Sequence, residues 1–210
     1  MYIVLEGIIG TGKTTQSKKL AEYLKQKFPE KEIVTTREPG GTEIAEVIRK
    51  VVQGTEFEEE MECVCEAYLY AASRAQSLRK IVKPVIDRGG IVVSDRSFIT
   101  SLTNQAFGRD LGLQKVLDIN LPAVAEIMPD LVLFMDLDIK KGMLRAFDQK
   151  GDKFESLGED FYQKVYNGHN EVTKLPIFKD KWLSIDADGT IDEVFERVKL
   201  AVESFLLNRV

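Results

Sequence analysis

One stretch near the start of the chain decides the fold: Gly7-Ile8-Ile9-Gly10-Thr11-Gly12-Lys13-Thr14. It matches the pattern G-x-x-x-x-G-K-[ST], in which glycines let the backbone curl so that successive N–H groups point at a polyphosphate. A short apolar run, Tyr2 to Leu5, precedes it, and a helical pattern follows it. A helix that starts here adds its partial positive charge to an anion site. The order of strand, glycine loop and helix therefore predicts phosphate binding, and a loop of this kind without a ligand is the weaker alternative.

Each position of the loop has an expected task. The Lys13 ammonium is expected to reach the β- and γ-phosphates of a nucleoside triphosphate, and the Thr14 hydroxyl to reach Mg²⁺. The predicted ATP-binding segment consists of Gly7, Ile8, Ile9, Gly10, Thr11, Gly12, Lys13, Thr14 and Thr15.

The composition bounds the class of protein. A length of 210 residues without a Pro/Gly/Ser-rich divider favours a single domain spanning residues 1–210. The 34 acidic and 29 basic residues give a net charge of −5, and the absence of a long basic stripe argues against nucleic-acid binding. The sequence contains no run of 18 apolar residues and opens without a basic leader, so we expect a soluble cytoplasmic protein with no membrane partner.

Cysteine and histidine are too few for a structural metal site. Cys63 and Cys65 are the only cysteines and His169 is the only histidine, so they cannot complete a four-ligand zinc site without carboxylates. Two reduced thiols near a helix are the expected arrangement. His169 follows Asn167 and Gly168 in a polar stretch, which predicts a surface position. The acidic run at 56–62 is interpreted as a solvated loop or helix start.

Short β-rich runs alternate with longer helical stretches along the whole chain. The predicted strands are Tyr2–Glu6, Glu32–Thr36, Gly90–Ser94, Leu131–Asp136 and Trp182–Asp186. Several of them are almost continuously apolar, as expected for strands covered on both faces of a parallel sheet. The fold class is therefore α/β, a three-layer domain with a parallel sheet between helices. The last helical segment, from Val194 to Phe205, shows only the apolar spacing of core packing.

Charged residues follow the ends of these strands. Ligands of such sheets bind at the carboxyl ends of the strands, so these residues are candidates to face one cleft. They are Glu6, Arg37, Asp95, Arg96, Asp136 and Asp186.

Arg37 stands in the segment Thr35-Thr36-Arg37-Glu38-Pro39-Gly40-Gly41-Thr42, where proline and two glycines force an irregular turn. A guanidinium offers two parallel N–H donors that match two phosphate oxygens. The alternative is a surface arginine paired with Glu38 or Glu43, and the spacing leaves both readings open.

Two further pairs carry possible chemistry. Asp95 can hold the Mg²⁺ shell or orient a nucleophile, and Arg96 can hold a second phosphate; a structural ion pair between them is the alternative. Tyr70 and Arg74 are four residues apart on a predicted helix and therefore share one face. An aromatic ring beside a guanidinium can hold a nucleobase, although such a tyrosine is more often part of the core.

Several of these blocks together resemble the thymidylate kinases. They are Glu6-Gly7 at the phosphate loop, Thr36-Arg37-Glu38-Pro39-Gly40-Gly41-Thr42, Ala71-Ala72-Ser73-Arg74-Ala75-Gln76, Ile81-Val82-Lys83-Pro84 and Asp95-Arg96-Ser97. They lie in family order over essentially the full length. The resemblance implies a P-loop NTPase fold with a five-stranded parallel sheet, a homodimer, and transfer of the ATP γ-phosphate to dTMP to give dTDP.

The resemblance also assigns roles to individual positions. Arg37 and Arg96 would hold the acceptor phosphate, Arg74 would contact the thymine edge, and Tyr70 would stack on the base. Ser101, Asn104 and Gln105 fall where the family lines the acceptor pocket. The segment 142–158 resembles the mobile lid over ATP, with Arg145, Lys150 and Lys153 as its cations, and Ala187 lies in a loop that resembles the one bordering adenine.

In this scheme positioning and charge neutralisation perform the catalysis, because the acceptor phosphate is already anionic and needs no strong base. The expected catalytic set is Lys13, Arg37, Asp95, Arg96, Arg145, Lys150 and Lys153. ATP and Mg²⁺ are the expected cofactors, with Thr14 and Asp95 as the metal-binding residues.

The chain departs from the family pattern at several positions. Ile9 replaces an acidic residue that contacts the acceptor in the family, and Asn104 replaces a large aromatic that presses on the sugar. Gly10 stands where one branch has arginine, and Lys150 and Lys153 stand where lid arginines are more usual. A lysine lacks the bidentate fork. These departures predict an acceptor choice that is looser than, or different from, that of a typical thymidylate kinase.

Three other functions are alternatives to this one. A kinase of another monophosphate or of a deoxynucleoside shares the loop, but a nucleoside acceptor needs a carboxylate base in place of Arg37 and Arg96. A GTP-dependent switch is disfavoured because the sequence lacks an Asn-Lys-x-Asp element. A catalytically inactive relative would bind nucleotide without transferring phosphate.

Overall fold

A parallel sheet forms the centre of the molecule. The computed structural model describes residues 1–54, 57–147 and 157–207. Within these ranges five parallel strands form one sheet in the order β2-β3-β1-β4-β5. Their bounds are β1 Tyr2–Glu6, β2 Ile33–Arg37, β3 Ile91–Asp95, β4 Leu131–Asp136 and β5 Trp182–Asp186. The predicted fold class and sheet are confirmed.

Two strands begin and end one residue later than the sequence predicts. Arg37 and Asp95 are thereby the last residues of β2 and β3 and pair with each other in the sheet register. Leu5 of β1 pairs with Asp95 on the other side of β3. The loop after β1 and the ends of β2 and β3 therefore meet at one edge of the sheet.

Helices cover both faces of the sheet. In the described ranges they are α1 Lys13–Lys27, α2 Glu43–Gln53, α3 Cys63–Ser77, α4 Lys83–Asp87, α5 Phe98–Thr103, α6 Leu113–Val124, α7 Ile139–Phe147, α8 Glu159–Val172 and α9 Ile191–Leu207. Single turns of π-helix follow α3 and α5, at Leu78–Val82 and Asn104–Gly108. None of the helices in these ranges is long and apolar enough to cross a membrane.

Alternation along the strands produces two cores. Ile3 and Leu5 of β1 face α1 and α9, where they pack with Leu20, Leu24 and Val198. Tyr2 and Val4 face the opposite side, where a second core is built from apolar residues of α4, α5 and α6. All five residues of β1 are buried, since the strand has neighbours in the sheet on both sides and helices on both faces. The three-layer arrangement follows from this double burial.

The predicted surface position of His169 is wrong. Its side chain is 2% exposed, and its ring lies 4.8 Å from that of Phe134 and 6.2 Å from that of Trp182, measured between centroids. His169 belongs to the inner face of α8, together with Val165 and Val172, whereas Asn167 points to solvent. The helical period, rather than the polarity of the neighbouring residues, decides its position.

The two cysteines lie at the start of α3. Cys63 is partly buried and Cys65 is exposed, and both are free thiols. The described part of the acidic run, from Phe57 to Glu62, is mostly exposed and leads into this helix.

Candidate active site

A cavity of about 630 Å³ opens at the carboxyl edge of the sheet. It collects residues from the loop after β1, from the ends of β2 and β3, and from α2, α3, α7 and α8. The predicted site residues that line it are Gly7, Ile8, Ile9, Gly10, Gly12, Lys13, Thr14, Thr15, Arg37, Tyr70, Asp95, Arg96, Asn104 and Arg145. The fold therefore brings most of the predicted phosphate and nucleotide residues to one place.

The phosphate loop has the backbone that its glycines predict. Gly10 and Gly12 adopt φ of 72° and 82°, a region that favours glycine. At Gly10 a side chain is also excluded by space, because a Cβ there would lie 1.9 Å from the carbonyl oxygen of Gly142. The loop is thus packed backbone to backbone against the first turn of α7.

Lys13 is folded against its own loop. Its ammonium donates to the carbonyl of Ile8 and, at 3.0 Å, to Oγ1 of Thr11. Burial and the nearby charge of Arg96 lower the pKa of Lys13 to about 7, against the opposing effect of Asp95 and Glu6. The Lys13 ammonium can replace its contacts with the loop by contacts with phosphate oxygens when a ligand binds. Thr11 is buried and holds the lysine rather than lining the cavity.

The two predicted metal-binding residues meet directly. The hydroxyl of Thr14 donates to Oδ2 of Asp95, which joins the first turn of α1 to the end of β3. A hydroxyl and a carboxylate are oxygen ligands of the kind that Mg²⁺ prefers, and both line the cavity. The residues present therefore fit a magnesium ion bound together with a polyphosphate.

Arg96 is held in an uncommon backbone conformation at the edge of the cavity. Its φ is 73°, which is rare for a residue with a side chain and is often found at functional sites. Its Nη1 donates to the carbonyl of Gly7 and to Oγ1 of Thr100, each at 3.2 Å. The alternative of a structural Asp95–Arg96 ion pair is not supported, since the salt bridges of the described residues do not include it.

Glu6 lies beneath the loop and does not line the cavity, contrary to the expectation from its place at a strand end. Its carboxylate is fully buried and accepts from Ser97 Oγ and Thr100 Oγ1, each at 2.7 Å. Burial raises the pKa of Glu6, and the charge of Arg96 is the largest opposing effect. Glu6 thus supports Arg96 through Thr100 and does not meet a ligand itself.

Arg37 is paired with a carboxylate that the sequence did not suggest. Its Nη2 lies 2.8 Å from Oε2 of Glu46, and its Nε lies 3.3 Å from Oε1 of the same residue. Neither Glu38 nor Glu43 is the partner. Arg37 nevertheless lines the cavity, so the ion pair and a phosphate-binding role are compatible.

Arg74 is more deeply buried than its predicted contact with a base implies. It is 2% exposed, donates from Nε to Oε2 of Glu38 at 2.6 Å, and also donates to Asn120 and Ser101. Arg74, Ser101 and Gln105 do not line the cavity, whereas Tyr70 and Asn104 do. The helical spacing of Tyr70 and Arg74 is present, but the buried carboxylate of Glu38 holds the guanidinium behind the cavity wall.

Gln105 is turned away from the cavity by a second buried carboxylate. Its Nε2 donates to Oε1 of Glu66 at 2.8 Å, and Arg109 is 3.2 Å from the other oxygen of Glu66. Glu66 itself is fully buried.

The opposite end of the cavity is bounded by α7. Arg145 reaches across to the loop after β5, where Nη1 donates to the carbonyl of Ala187 at 3.1 Å and Nη2 lies 3.3 Å from Asp188. Ala187 is buried and contributes its carbonyl rather than its side chain. Lys150 and Lys153 lie outside the described residues, as does most of the predicted lid.

Asp136 and Asp186 do not line this cavity. Asp136 accepts from the Tyr166 hydroxyl at 3.0 Å, and Asp186 forms an ion pair with Arg197 at 3.3 Å. Their position at strand ends is as predicted, but their carboxylates bind Tyr166 of α8 and Arg197 of α9 and do not face the cavity.

Eight lining residues were not predicted as site residues from the sequence: Glu38, Pro39, Arg49, Gln53, Thr100, Ala146, Tyr162 and Val165. Arg49 donates from Nη1 to the carbonyl of Pro39 at 2.9 Å, so it lies beside the Arg37 turn. It stands four residues after Ala45 and three before Val52, both fully buried. Only the structure shows that this face of α2 is buried, since the apolar Ile44 and Val47 of the same helix are exposed, so the sequence carries no signal for Arg49. Tyr162 and Val165 carry no signal either, because their spacing is that of ordinary core residues.

Three features together define a P-loop phosphotransferase. They are a phosphate loop on a parallel sheet, a hydroxyl paired with a carboxylate that could hold a metal, and arginines that line the same cavity. Comparison with known proteins makes the assignment specific. The family model described as thymidylate kinase matches residues 5–198. The chain belongs to the thymidylate kinase family.

Individual relatives agree over almost the full length. The chain is similar to a thymidylate kinase of Caldicellulosiruptor saccharolyticus, with 37% identity over 209 residues that cover 99% of this chain and 98% of the relative. A thymidylate kinase of Thermosipho africanus is 36% identical, with 98% and 99% covered. The crystal structure of thymidylate kinase from Ehrlichia chaffeensis superposes with a TM-score of 0.78 at 26% identity, covering 96% of this chain and 98% of that one.

Proposed function

We propose that this chain transfers the γ-phosphate of ATP to dTMP, giving dTDP, with Mg²⁺ bound to the triphosphate. One observation carries the proposal: a single cavity is lined both by a complete phosphate loop with Lys13 and by two arginines, Arg37 and Arg96, that lie outside the loop. One anion site serves the donor, and a second serves an acceptor that carries its own phosphate.

On the donor side, backbone N–H groups of the loop and the Lys13 ammonium bind the triphosphate. Thr14 and Asp95 would hold Mg²⁺, which neutralises charge on the phosphates when it is bound. Arg145 lies over the Ala187 carbonyl and is assigned to the nucleoside end of ATP. The lid lysines Lys150 and Lys153 are proposed to add positive charge around the transferred group.

On the acceptor side, Arg37 and Arg96 hold the phosphate of the monophosphate. Tyr70 and Asn104 line the same cavity and are assigned to the base and sugar. Arg74, Ser101 and Gln105 do not line the cavity, and we propose that they support the residues that form the wall of the base pocket. Because the acceptor phosphate is already anionic, alignment of the two substrates and charge neutralisation suffice, and exclusion of water protects ATP from hydrolysis.

The acceptor choice is proposed to be looser than that of a typical family member, or different from it. Ile9 and Asn104 both line the cavity, so the two departures from the family pattern are at the site and not remote from it. Isoleucine cannot accept a hydrogen bond, while the amide of Asn104 can donate one to a sugar hydroxyl. A ribose 2′-hydroxyl would then be tolerated better.

A coupled assay of ADP formation against dTMP, dUMP, UMP, dGMP and dCMP tests both proposals. We expect turnover with dTMP and, with dUMP or UMP, a kcat/KM within about 100-fold of it, since one hydrogen bond is worth roughly 1–3 kcal/mol of discrimination. Lys13→Ala should lower kcat/KM by roughly 100-fold or more. No turnover with any monophosphate would overturn the function. A preference for dTMP of several hundredfold would overturn only the looser pocket.

We also propose a homodimer. Four large apolar side chains are exposed on α2 and α3, two helices that pack on each other, and we call them the α2–α3 face: Ile44, Val47, Val64 and Tyr68. Their exposed fractions range from 41% to 60%. A second copy of the chain covering this face would bury them. We propose a single kinase domain and, in keeping with the free thiols, a cytoplasmic location.

A further inference from the structure

The turn that carries Arg37 is fastened to α2 by one carboxylate. Glu46, in the first turn of that helix, accepts from the backbone N–H of Gly41 at 2.8 Å through Oε1. The same carboxylate accepts both of the Arg37 hydrogen bonds described above. Glu46 therefore holds the backbone of the turn and the side chain that the turn presents.

The ion pair leaves a defined part of the guanidinium available. Glu46 occupies Nε and one hydrogen of Nη2, which together form one side of the planar group. The two hydrogens on Nη1 and the second on Nη2 form the other edge. That edge has the spacing to bind two oxygens of a phosphate, and its direction is fixed once the first side is bound.

The carboxylate contacts Arg37 from outside the cavity. Arg37 lines the cavity, as do Pro39 and Arg49, but Glu46 does not. The Glu46 carboxylate lies close to the backbone of the turn, since a Cβ on Gly40 would lie 2.4 Å from Oε1 of Glu46. Gly40 also has a φ of 125°, so the turn can take this shape only with glycine there. The loop and helix are thus built around this carboxylate.

Orientation matters here because Arg37 is otherwise open to solvent. Its side chain is 51% exposed, whereas that of Glu46 is 35% exposed. Without a partner, a long exposed arginine samples many rotamers and must be ordered when the ligand binds. With Glu46 in place, that ordering is already complete in the free protein.

We propose that Glu46 is a positioning residue for the acceptor phosphate, which acts by holding the free edge of the Arg37 guanidinium toward the cavity. This inference rests on the proposed function, because it takes Arg37 as a phosphate ligand. It adds a residue on α2 that does not touch the substrate itself.

Loss of the Glu46 carboxylate should change the affinity for the acceptor phosphate in one direction if only charge matters, and in the opposite direction if orientation matters. Glu46 is ionised at neutral pH: partial burial on its own would raise its pKa, but the hydrogen bonds from Arg37 and Gly41 and the charge of Arg37 lower it. Removing a nearby negative charge should strengthen the binding of an anion. Releasing the guanidinium should weaken it. The direction of the change therefore separates a positioning role from a simple ion pair.

The test is Glu46→Gln, which keeps the size of the side chain and removes the charge. We expect the KM for dTMP to rise by roughly 10-fold or more, since small misplacements of a substrate-binding group have effects of this size. The KM for ATP should stay within about twofold, because the phosphate loop is not contacted by Glu46. An unchanged or lowered KM for dTMP would overturn the inference.

Glu43→Gln is the matched control. Glu43 is exposed in the same first turn of α2, three residues earlier, and makes none of the hydrogen bonds described for the Arg37 turn. The Glu43→Gln variant removes the same charge and should leave the KM values for dTMP and ATP within about twofold of those of the wild-type protein. An equal loss in both variants would show that net charge on α2 is responsible, which contradicts a role specific to Glu46.

Two further measurements close the test. In an Arg37→Ala background, Glu46→Gln should change the KM for dTMP by less than about twofold, because its effect passes through Arg37. Calorimetric titration with dTMP gives the same comparison without turnover. Wild-type protein that binds dTMP but does not phosphorylate it would refute the proposed function, while the role of Glu46 would still be decided by binding. If Glu46→Gln does not fold, Glu46→Asp, with its shorter reach, replaces it in each measurement.

Discussion

At the scale of single residues, the site depends on charged groups that are buried before any nucleotide binds. Lys13 has a pKa of about 7, chiefly because it is taken out of water. Phosphate oxygens would supply the counter-charge that the loop carbonyls do not, and so raise that pKa again. Binding of ATP near pH 8 should therefore be accompanied by proton uptake at Lys13. Phosphate binding also offsets part of the free-energy cost of burying the Lys13 ammonium in the free protein.

His169 is the clearest case of a titratable residue that function does not use. Its pKa is lowered from 6.5 to about 3, first because of burial and then because of the charges of Arg96 and Lys13. The folded protein thus holds the neutral ring, while the unfolded chain takes up a proton below pH 6.5. The stability that this residue contributes is present above pH 6.5 and is lost progressively as the pH falls toward 3.

We expect His169→Phe to remove this part of the acid sensitivity. Between pH 6.5 and pH 5, His169 should account for a loss of about 2 kcal/mol in the free energy of unfolding, at ~1.4 kcal/mol per pH unit. Urea unfolding of both proteins at pH 7.5 and pH 5 measures the difference. Glu6 and Glu38 have pKa values raised by burial and titrate in both proteins, so they cancel in the comparison. Parallel losses in both proteins would contradict a buried neutral His169.

At the scale of elements, the phosphate loop and α7 are in backbone contact. A Cβ on Gly142 would lie 2.6 Å from the carbonyl oxygen of Ile9, and a Cβ on Gly10 would meet Gly142 in turn. Backbone atoms cannot rotate out of the way as a side chain can. Arg145 is one turn along the same helix and lines the cavity. The contact therefore fixes how close Arg145 comes to the loop.

Gly142→Ala should separate the helix from the loop. Alanine favours a helix interior by about 1 kcal/mol over glycine, so α7 itself should not be weakened. The added methyl group forces the loop or the helix to move by several tenths of an ångström or more. We expect the KM for ATP to rise about 10-fold, with the KM for dTMP within about twofold. Steady-state kinetics with each substrate varied in turn gives both values.

Gly158→Ala is the control for this variant, because no atom of the described residues lies within 4 Å of a Cβ built there. It should leave the KM for ATP within about twofold. Equal effects at Gly142 and Gly158 would mean that the contact with the loop is not the cause.

At the scale of the whole molecule, the exposed apolar residues are unevenly placed. The α2–α3 face has four of them on two packed helices, whereas α9, which covers the opposite side of the sheet, exposes three that are seven or more residues apart: Ile191, Leu200 and Leu207. A larger exposed apolar area marks an interaction surface more often than scattered apolar residues do.

Tyr68→Glu should therefore convert the proposed dimer to a monomer. A glutamate at the centre of an apolar interface would have to be buried without a partner, at a cost of several kcal/mol. Light scattering coupled to size-exclusion chromatography measures the mass of each variant. Leu200→Glu, which changes an equally exposed residue on α9, should leave the mass unchanged. A wild-type protein that elutes as a monomer, or a dimer that survives Tyr68→Glu, would show that this face is not the interface.

Much of the site was predictable because it is local. The loop from Gly7 to Thr14 carries its own geometry in its glycines, and parallel strands bring their carboxyl ends to one edge, so the meeting of Lys13, Thr14 and Asp95 followed from motif and sheet together. Among the strands, only the one-residue shifts of β2 and β3 differ from the prediction. Those shifts depend on inter-strand hydrogen bonds and leave no trace in residue type.

The sequence by itself thus determined the fold class, the phosphate loop, the family and the edge of the sheet at which the site lies. Tertiary packing alone decided which carboxylate holds each arginine: Glu46 for Arg37, and Glu38 for Arg74. It also buried His169 and brought Arg49 beside the cavity. The physical reason is the distance along the chain between the residues that decide each property. Backbone conformation and strand burial depend on neighbours in the chain, whereas ion pairing and desolvation depend on which elements pack together in space.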